Sequence, residues 1–300
     1  MGTSCFSLTS LEALLEAGIS VVAVYAQAPK PAGRNYRMQK SVVMEFAEAE
    51  GIPVHTPKTL RSADQLELFR SLQANVAVVA SYGLIVPQSI IDVPTMGFIN
   101  VHASLLPRWR GASPIRSAIL AGDAKTGITI MRMDAGVDTG DIMAMQSVDI
   151  GPKVNHGELE KRLGFLGAEM VVDVLSHLDA YVAQTRKQSE DGVAYAPKID
   201  KESCRIDWND SAENILRKIM AFSPSPGAWG EVDGIRLKIL DAEVLENDVA
   251  VKIGCIADGP VVKCRQKSLR LTLVQPAGKN IMSGEDFLRG RCRLLGMVIK

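Results

Sequence analysis

Asn100 and His102 stand two residues apart in the apolar run Gly97-Phe-Ile-Asn-Val-His102. In an extended strand, residues i and i+2 share a face, so an amide and an imidazole converge there on one substrate atom. Both carry N–H groups, which makes this a catalytic geometry. Ser104-Leu-Leu-Pro107 and Arg108-Trp-Arg-Gly111 follow at once. A rigid proline and a dense Arg/Trp/Gly segment are expected where a strand ends in a ligand-binding loop rather than a tight hairpin. A carboxylate, Asp138, lies further on in the glycine-rich Asp134-Ala-Gly-Val-Asp-Thr-Gly140. Taken singly, an Asn or His on a strand is more often structural, and an Asp in such a loop often only stabilises a turn.

Three features of the whole chain limit what this centre can belong to. With 300 residues, 47% of them hydrophobic and 23% charged, the chain can bury a sizeable core and divides naturally into two domains. No apolar run reaches the length of a membrane span, and the first residues lack the pattern of a signal peptide, so a globular protein of the cytoplasm, with no membrane partner, is expected. Cys5, Cys204, Cys255, Cys264 and Cys292 form no Cys-x-x-Cys pair and are odd in number. That spacing speaks against a zinc site and a disulfide framework, and no metal is expected.

The elements that must position Asn100 and His102 alternate between strand and helix. Ser20–Ala26, Val76–Ala80, Phe98–His102 and Ile128–Met133 are short β-branched runs, with amphipathic stretches at Leu11–Ala17 and Val42–Ala49. This predicts an α/β domain with a largely parallel sheet. A long helix from Gly157 to about Leu178 closes it, and polar residues 187–201 read as a linker between a catalytic domain at 1–186 and a second at 202–300. There a helix over Ala212–Phe222 precedes strands at Ile235–Ile239, Val251–Ile256, Val261–Arg265 and Leu269–Val274. Short strands broken by Gly/Asp turns suggest a small barrel.

The net charge is zero, yet from residue 251 onward ten Lys and Arg face only Asp258, Glu285 and Asp286. Such a patch is either a solvated surface or a contact for a polyanion.

Asn100-x-His102-x-Ser-Leu-Leu-Pro-x-x-x-Gly111 with Asp138 in Gly-Val-Asp-Thr-Gly resembles the signature of the formyltransferases that use 10-formyltetrahydrofolate. Pro31-Ala-Gly-Arg34, Ser81-Tyr-Gly-Leu-Ile-Val-Pro87, Arg205-Ile-Asp-Trp208, Pro226-Gly-Ala-Trp229 and Gln275-Pro-Ala-Gly-Lys279 extend the likeness over nearly the whole chain. They resemble the branch that formylates methionyl-tRNA. The resemblance implies a Rossmann-like formyltransferase domain, an OB-like β-barrel domain that helps hold tRNA, and transfer of the formyl group of 10-formyltetrahydrofolate to the α-amino group of methionyl initiator tRNA, with release of tetrahydrofolate and no metal. A monomer in a bacterial or organellar translation compartment is expected.

The same resemblance distributes roles. Asn100 and His102 offer N–H donors to the oxygen that gains charge as the amine adds. Asp138 either favours and orients a protonated His102 or accepts the proton released by the amine. Tyr82, Gly83, Leu84 and Ile85, with Ser104, Leu105, Leu106 and Pro107, are assigned to the folate, Leu84 and Ile85 lining a slot for its flat pterin. Arg34, with Arg37 and Lys40 on the same loop, is directed at the tRNA acceptor end. Lys263, Arg265, Lys267 and Arg270 are assigned to tRNA phosphates. His55, His156 and His177 match no motif and read as surface or packing residues.

Three stretches depart from the family pattern, one of them the loop Asn35-Tyr-Arg-Met-Gln-Lys40 that follows Arg34. Met1-Gly-Thr-Ser resembles the point where the family's first strand has just ended, so the strand that lies mid-sheet in the family is absent from this sequence: either the true start lies upstream or the sheet closes differently. The final residues, Arg291 to Lys300, also differ. Two rivals share parts of the pattern: a formyltransferase acting on a nucleotide-linked amino sugar, and a non-catalytic RNA-binding protein of the same fold. The Pro-Ala-Gly-Arg loop and the basic second domain speak against the first, and the intact Asn/His/Asp set against the second. A Rossmann dehydrogenase is disfavoured because no Gly-x-Gly-x-x-Gly follows a strand.

Overall fold

The computed structural model describes residues 1–32, 37–247 and 249–300. The chain runs α1 (Cys5–Glu16), β1 (Val24–Tyr25), β2 (Lys30–Ala32), β3 (Arg37–Gln39), α2 (Val42–Ala49), β4 (Val54–His55), α3 (Ala63–Ser71), β5 (Ala77–Val79), α4 (Gln88–Ile91) and β6 (Phe98–His102). It continues with β7 (Arg110–Gly111), α5 (Pro114–Ala121), β8 (Lys125–Arg132), β9 (Ile142–Asp149), α6 (His156–Ser176), α7 (Leu178–Ala183) and β10 (Tyr195–Ala196). Then come α8 (Ala212–Phe222), β11 (Ala228–Val232), β12 (Ile235–Leu245), β13 (Val261–Lys263), β14 (Ser268–Pro276), β15 (Met282–Ser283) and α9 (Gly284–Leu288). These residues form two compact units, one of residues 1–114, 125–148 and 160–196, the other of 115–124, 149–159 and 197–300.

In the first unit β6 lies inside a four-stranded sheet of order β5-β6-β8-β9, and β1 pairs with β4 apart from it. The sheet is mixed. β5 and β6 are parallel, as are β1 and β4, but β8 runs antiparallel to β6 and sets Thr129 opposite His102. An antiparallel neighbour needs no crossover connection, which is why the parallel pattern expected from sequence stops at β6.

All five residues of β6 are buried. Gly167 of α6 explains how a helix lies so close: a Cβ there would come within 2.8 Å of Val101. Val101 thus faces the helix, and by the two-residue alternation Asn100 and His102 share the opposite face with Phe98. Phe98 in turn stacks on Phe69 with ring centroids 5.6 Å apart.

β1 and β5 part at the place expected for the absent mid-sheet strand. Gly2 N donates to Tyr25 O (2.9 Å), Ala80 N donates to Met1 O (3.0 Å), and the Met1 amine donates to Val78 O (2.7 Å). Residues 1 and 2 therefore bridge the two strands, and beside them lies a cleft of about 380 Å³ lined by Leu11, Leu14, Val22, Val24 and Ala77 among others. Burial pushes the α-amino group down to about 5. The run Ser20–Ala26 forms a strand only at Val24–Tyr25, where Val54 and His55 of β4 supply the ladder partners.

The second unit holds a curled five-stranded sheet, β11-β12-β14-β13 with β15 also on β14, in which all pairs are antiparallel. A register shift around Asp241 bends β12, as a bulge does. α8 covers the sheet with Ile215, Ile219 and Phe222, and its first turn is capped by Ser211, whose side chain accepts from Asn214 N (3.2 Å). The expected strand Val251–Ile256 does not form. The chain turns at Gly254 (φ +75°), leaving only isolated bridges from Cys255 to Val298 and from Ile256 to Val262.

The remaining histidines pack or lie at the surface. His55 rests against the Tyr25 ring at 4.9 Å, and His177 is exposed beside Asp173. His156 is buried, and desolvation with the nearby Arg116 charge pushes it down to about 3.

Candidate active site

β6 delivers Asn100 and His102 to one place, and the loop after β8 brings Asp138 to meet them. Asn100 Nδ2 donates to Asp138 Oδ1 at 3.1 Å, and His102 Nδ1 lies 3.6 Å from Asp138 Oδ2. Both β6 side chains are nearly closed off from solvent, at 9% and 5% exposure, so the polar contacts operate where water competes little. His102 Nε2 is 3.0 Å from the carbonyl oxygen of Trp109. A carbonyl only accepts, so Nε2 carries a hydrogen and Nδ1 is the nitrogen turned to the carboxylate. Asn100 keeps a second amide hydrogen that has no partner among the hydrogen bonds of the described residues.

The segment after β6 folds back because Thr129 holds it. Thr129 Oγ1 donates to Ser104 O (2.7 Å) and accepts from Leu106 N (3.2 Å), while Ser104 Oγ donates to Arg108 O (2.6 Å). Thr129 is fully buried on β8, directly across from His102. These bonds return the chain so that Trp109 offers its carbonyl to the imidazole. Gly111 then passes so close to β10 that a Cβ would sit 2.6 Å from Ala196 O, and its φ of +120° excludes other residues without strain. From there Gly111 N donates to Asp138 Oδ2 at 2.8 Å. Asp138 itself holds φ +52°, a left-handed conformation that is unusual for a residue with a side chain.

The residues assigned to the folate divide by exposure. The Tyr82 ring and the Leu106 side chain are buried in core clusters, and Leu84 is half-buried against the same cluster as Tyr82. Ser104 is fully buried, and Leu105 and Pro107 are half-buried. Gly83 adopts φ +81°, and Ile85 is 72% exposed, so this loop presents one free apolar side chain beside a bare stretch of backbone. Tyr82 O is held by Gln27 Nε2 at 2.9 Å.

Of the cations assigned to tRNA, Arg34 lies outside the described residues. Arg37 begins β3, paired with β2, and Lys40 is ion-paired with Glu48 at 2.6 Å. In the second unit Lys263 is half-buried on β13, whereas Arg265 and Arg270 are exposed. Lys267 is held between Glu213 (2.7 Å) and Glu246 (3.0 Å), so its charge is largely compensated.

Thr129, the Trp109 carbonyl and Gln188 belong to this site but carry no sequence signal of their own. Among the described residues, no group of three or more His, Cys, Asp or Glu side chains is placed to hold a metal ion, and no helix is long and apolar enough to cross a membrane.

Residues 1–175 match the formyl transferase family, and residues 198–292 match the formyl transferase C-terminal domain. The methionyl-tRNA formyltransferase of Roseobacter denitrificans is 49% identical over 291 residues, covering 97% of this chain and 94% of its own. That of Paramagnetospirillum magneticum is 46% identical over 301 residues, covering 100% and 98%. Among solved structures, HypX from Aquifex aeolicus in complex with tetrahydrofolic acid superposes with a TM-score of 0.62 at 18% identity, covering 90% of this chain and 47% of HypX, so the chain spans about half of that protein. WlaRD, a sugar 3N-formyl transferase crystallised with dTDP and 5-N-formyl-THF, gives 0.65 at 16% identity over 93% and 97% of the two chains. At these identities the structural likeness is one of fold.

Proposed function

This chain belongs to the formyl transferase family, and from that premise we propose that it transfers the formyl group of 10-formyltetrahydrofolate to the α-amino group of methionyl initiator tRNA. The products are N-formylmethionyl-tRNA, for translation initiation, and tetrahydrofolate. The observation that carries the chemistry is that Asp138 meets both side chains of a buried strand end, accepting a hydrogen bond from Asn100 at 3.1 Å and lying 3.6 Å from His102 Nδ1.

In the reaction a C–N bond forms between the amine and the formyl carbon, the bond from that carbon to the folate nitrogen breaks, and the formyl oxygen carries negative charge in between. A proton leaves the amine, and one is returned to the departing nitrogen. The uncommitted amide hydrogen of Asn100 is the donor for the oxygen, in a site where a positioned hydrogen bond counts for more than in water. His102 Nδ1 and Asp138 Oδ2 form the route for the proton, and the Trp109 carbonyl fixes the ring's orientation by holding Nε2. An α-amino group titrates near neutrality, so no strong base is needed to free the nucleophile.

The loop from Ser81 to Pro87 and the segment from Ser104 to Pro107 are assigned to the folate. Residues 1–186 supply catalysis and 202–300 hold tRNA, while residues 187–196 of the stretch between them pack with the first unit. Arg34, Arg37 and Lys40 serve the acceptor end, and Lys263, Arg265, Lys267 and Arg270 serve phosphates, with the exposed Arg265 and Arg270 ahead of the ion-paired Lys267. The protein acts as a monomer in the cytoplasm.

Incubation with charged initiator tRNA and 10-formyltetrahydrofolate, followed by separation of formylated from unformylated methionyl-tRNA, tests the reading. Time-dependent formation of N-formylmethionyl-tRNA is expected. Formylation of a dTDP-linked amino sugar with none of the tRNA would overturn it.

A further inference from the structure

Gln188 lies past α7 in a polar stretch that the sequence marks only as a linker, yet its side chain reaches back to the catalytic loop. Nε2 donates to Asp138 O (2.9 Å) and to Gly140 O (2.7 Å). Oε1 accepts from Arg110 Nε (3.0 Å) and Nη2 (2.8 Å). A carboxamide suits this place because it offers two hydrogens at one end and an acceptor at the other. The fork of Arg110 meets the acceptor with two of its N–H groups, so the amide cannot be flipped without setting donors against donors.

The residues so joined all bear on one carboxylate. Gly111, next to Arg110, donates its N–H to Asp138 Oδ2, and Asn100 donates to Asp138 Oδ1. Asp138 meanwhile sits in the left-handed region at φ +52°, a conformation that persists only where surrounding bonds impose it. Gln188 supplies the bond to the backbone oxygen of that residue and to the turn that follows.

We propose that Gln188 is a positioning residue for formyl transfer: it clamps the Asp138–Gly140 turn to Arg110, and so holds the Asp138 carboxylate against Asn100 and His102. It touches no reacting atom. The proposal rests on the formyl-transfer reading above and names a further part of the same site.

The test uses the full chain with Gln188→Met, which keeps the side chain's length and removes every clamp bond, and Gln188→Glu, which keeps the acceptor for Arg110 but sets a carboxylate against two carbonyl oxygens. Gln188→Met is expected to lower kcat about 10- to 100-fold, as misplacement by an ångström does, with KM for the folate changed less than threefold. Gln188→Glu should be impaired at neutral pH and recover as pH falls, because the protonated carboxyl regains a hydrogen to donate. Hydrogen exchange at residues 134–140 should rise in Gln188→Met, a readout independent of turnover. Wild-type kcat in Gln188→Met with unchanged exchange would overturn the proposal. So would a Gln188→Glu pH profile parallel to wild type, and that variant also decides the matter if Gln188→Met fails to fold. Failure of the wild type to formylate methionyl-tRNA would instead count against the reading of function, leaving the exchange measurement to judge the clamp.

Discussion

Asp138 and the cleft beside Met1 belong to the same unit and treat the backbone in opposite ways. At Asp138 each oxygen of the residue accepts a hydrogen bond: Oδ1 from Asn100, Oδ2 from Gly111 and the carbonyl from Gln188. At the cleft, β1 and β5 face each other across about 380 Å³ with only residues 1 and 2 between them. Under the cleft strands, the hydroxyls of Tyr25 and Tyr82 are buried with no partner among the described residues, and burial pushes the Tyr25 phenol up to about 12. A buried polar group left without a partner costs roughly 1–3 kcal/mol, about as much as a satisfied one to a charged group contributes. The site therefore concentrates bonding where the backbone is strained.

The sharpest way to break this contrast is at the site itself. Asn100→Ala and His102→Ala should each lower kcat by about two or more orders of magnitude with little change in folate affinity, because donors to the developing charge act chiefly in the transition state. Steady-state kinetics with folate and tRNA varied in turn check this, and normal turnover by either variant refutes the assigned roles.

A smaller effect is expected from the backbone that supports Asp138. Gly111→Ala places a methyl group 2.6 Å from Ala196 O at a φ of +120°. The strain should cost roughly 1–3 kcal/mol, seen as a lower Tm, and kcat should fall with it because the Gly111 N–H is displaced from Asp138. Thermal unfolding and kcat measured on one preparation test the pair. An unaltered Tm would mean that the β7–β10 crossing is looser than the geometry shows.

The least change should come from mending the cleft. A designed extension of about seven apolar β-branched residues ahead of Met1, one strand in length, should raise Tm by a few degrees while kcat stays within about twofold. Equal melting temperatures would show that the facing edges of β1 and β5 carry no penalty, and a large change in kcat would show that the two regions are coupled.

How much of this was legible in the residues follows from the range of each signal. Asn100 and His102 could be read because a period of two is local, and the helix expected over Ala212–Phe222 has those bounds in α8, where Ser211 caps it. Signals that depend on a partner misled. Ser20–Ala26 has the composition of a strand but is paired only at its end, and Val251–Ile256 has apolar residues enough but is turned by Gly254. The parallel pattern was extended past β6 because composition does not report direction. Thr129 and the Trp109 carbonyl were not found at all, since one is an ordinary β-branched strand residue and the other is backbone. Gln188 acts across 50 residues of sequence separation from Asp138, beyond the reach of any motif.

The crossing of β7 and β10 also sets a clock. Arg110 N bonds Ala194 O and Ala112 N bonds Ala196 O, so the turn that carries Gly111 is not fixed until residue 196 exists. On a ribosome adding roughly 5–20 residues per second, the nascent chain holds Asn100, His102 and Asp138 for several seconds before the segment that locks them is made. Catalytic competence is thus a late event of synthesis, and a chain that stops short of residue 188 carries all three reactive side chains without the means to aim them.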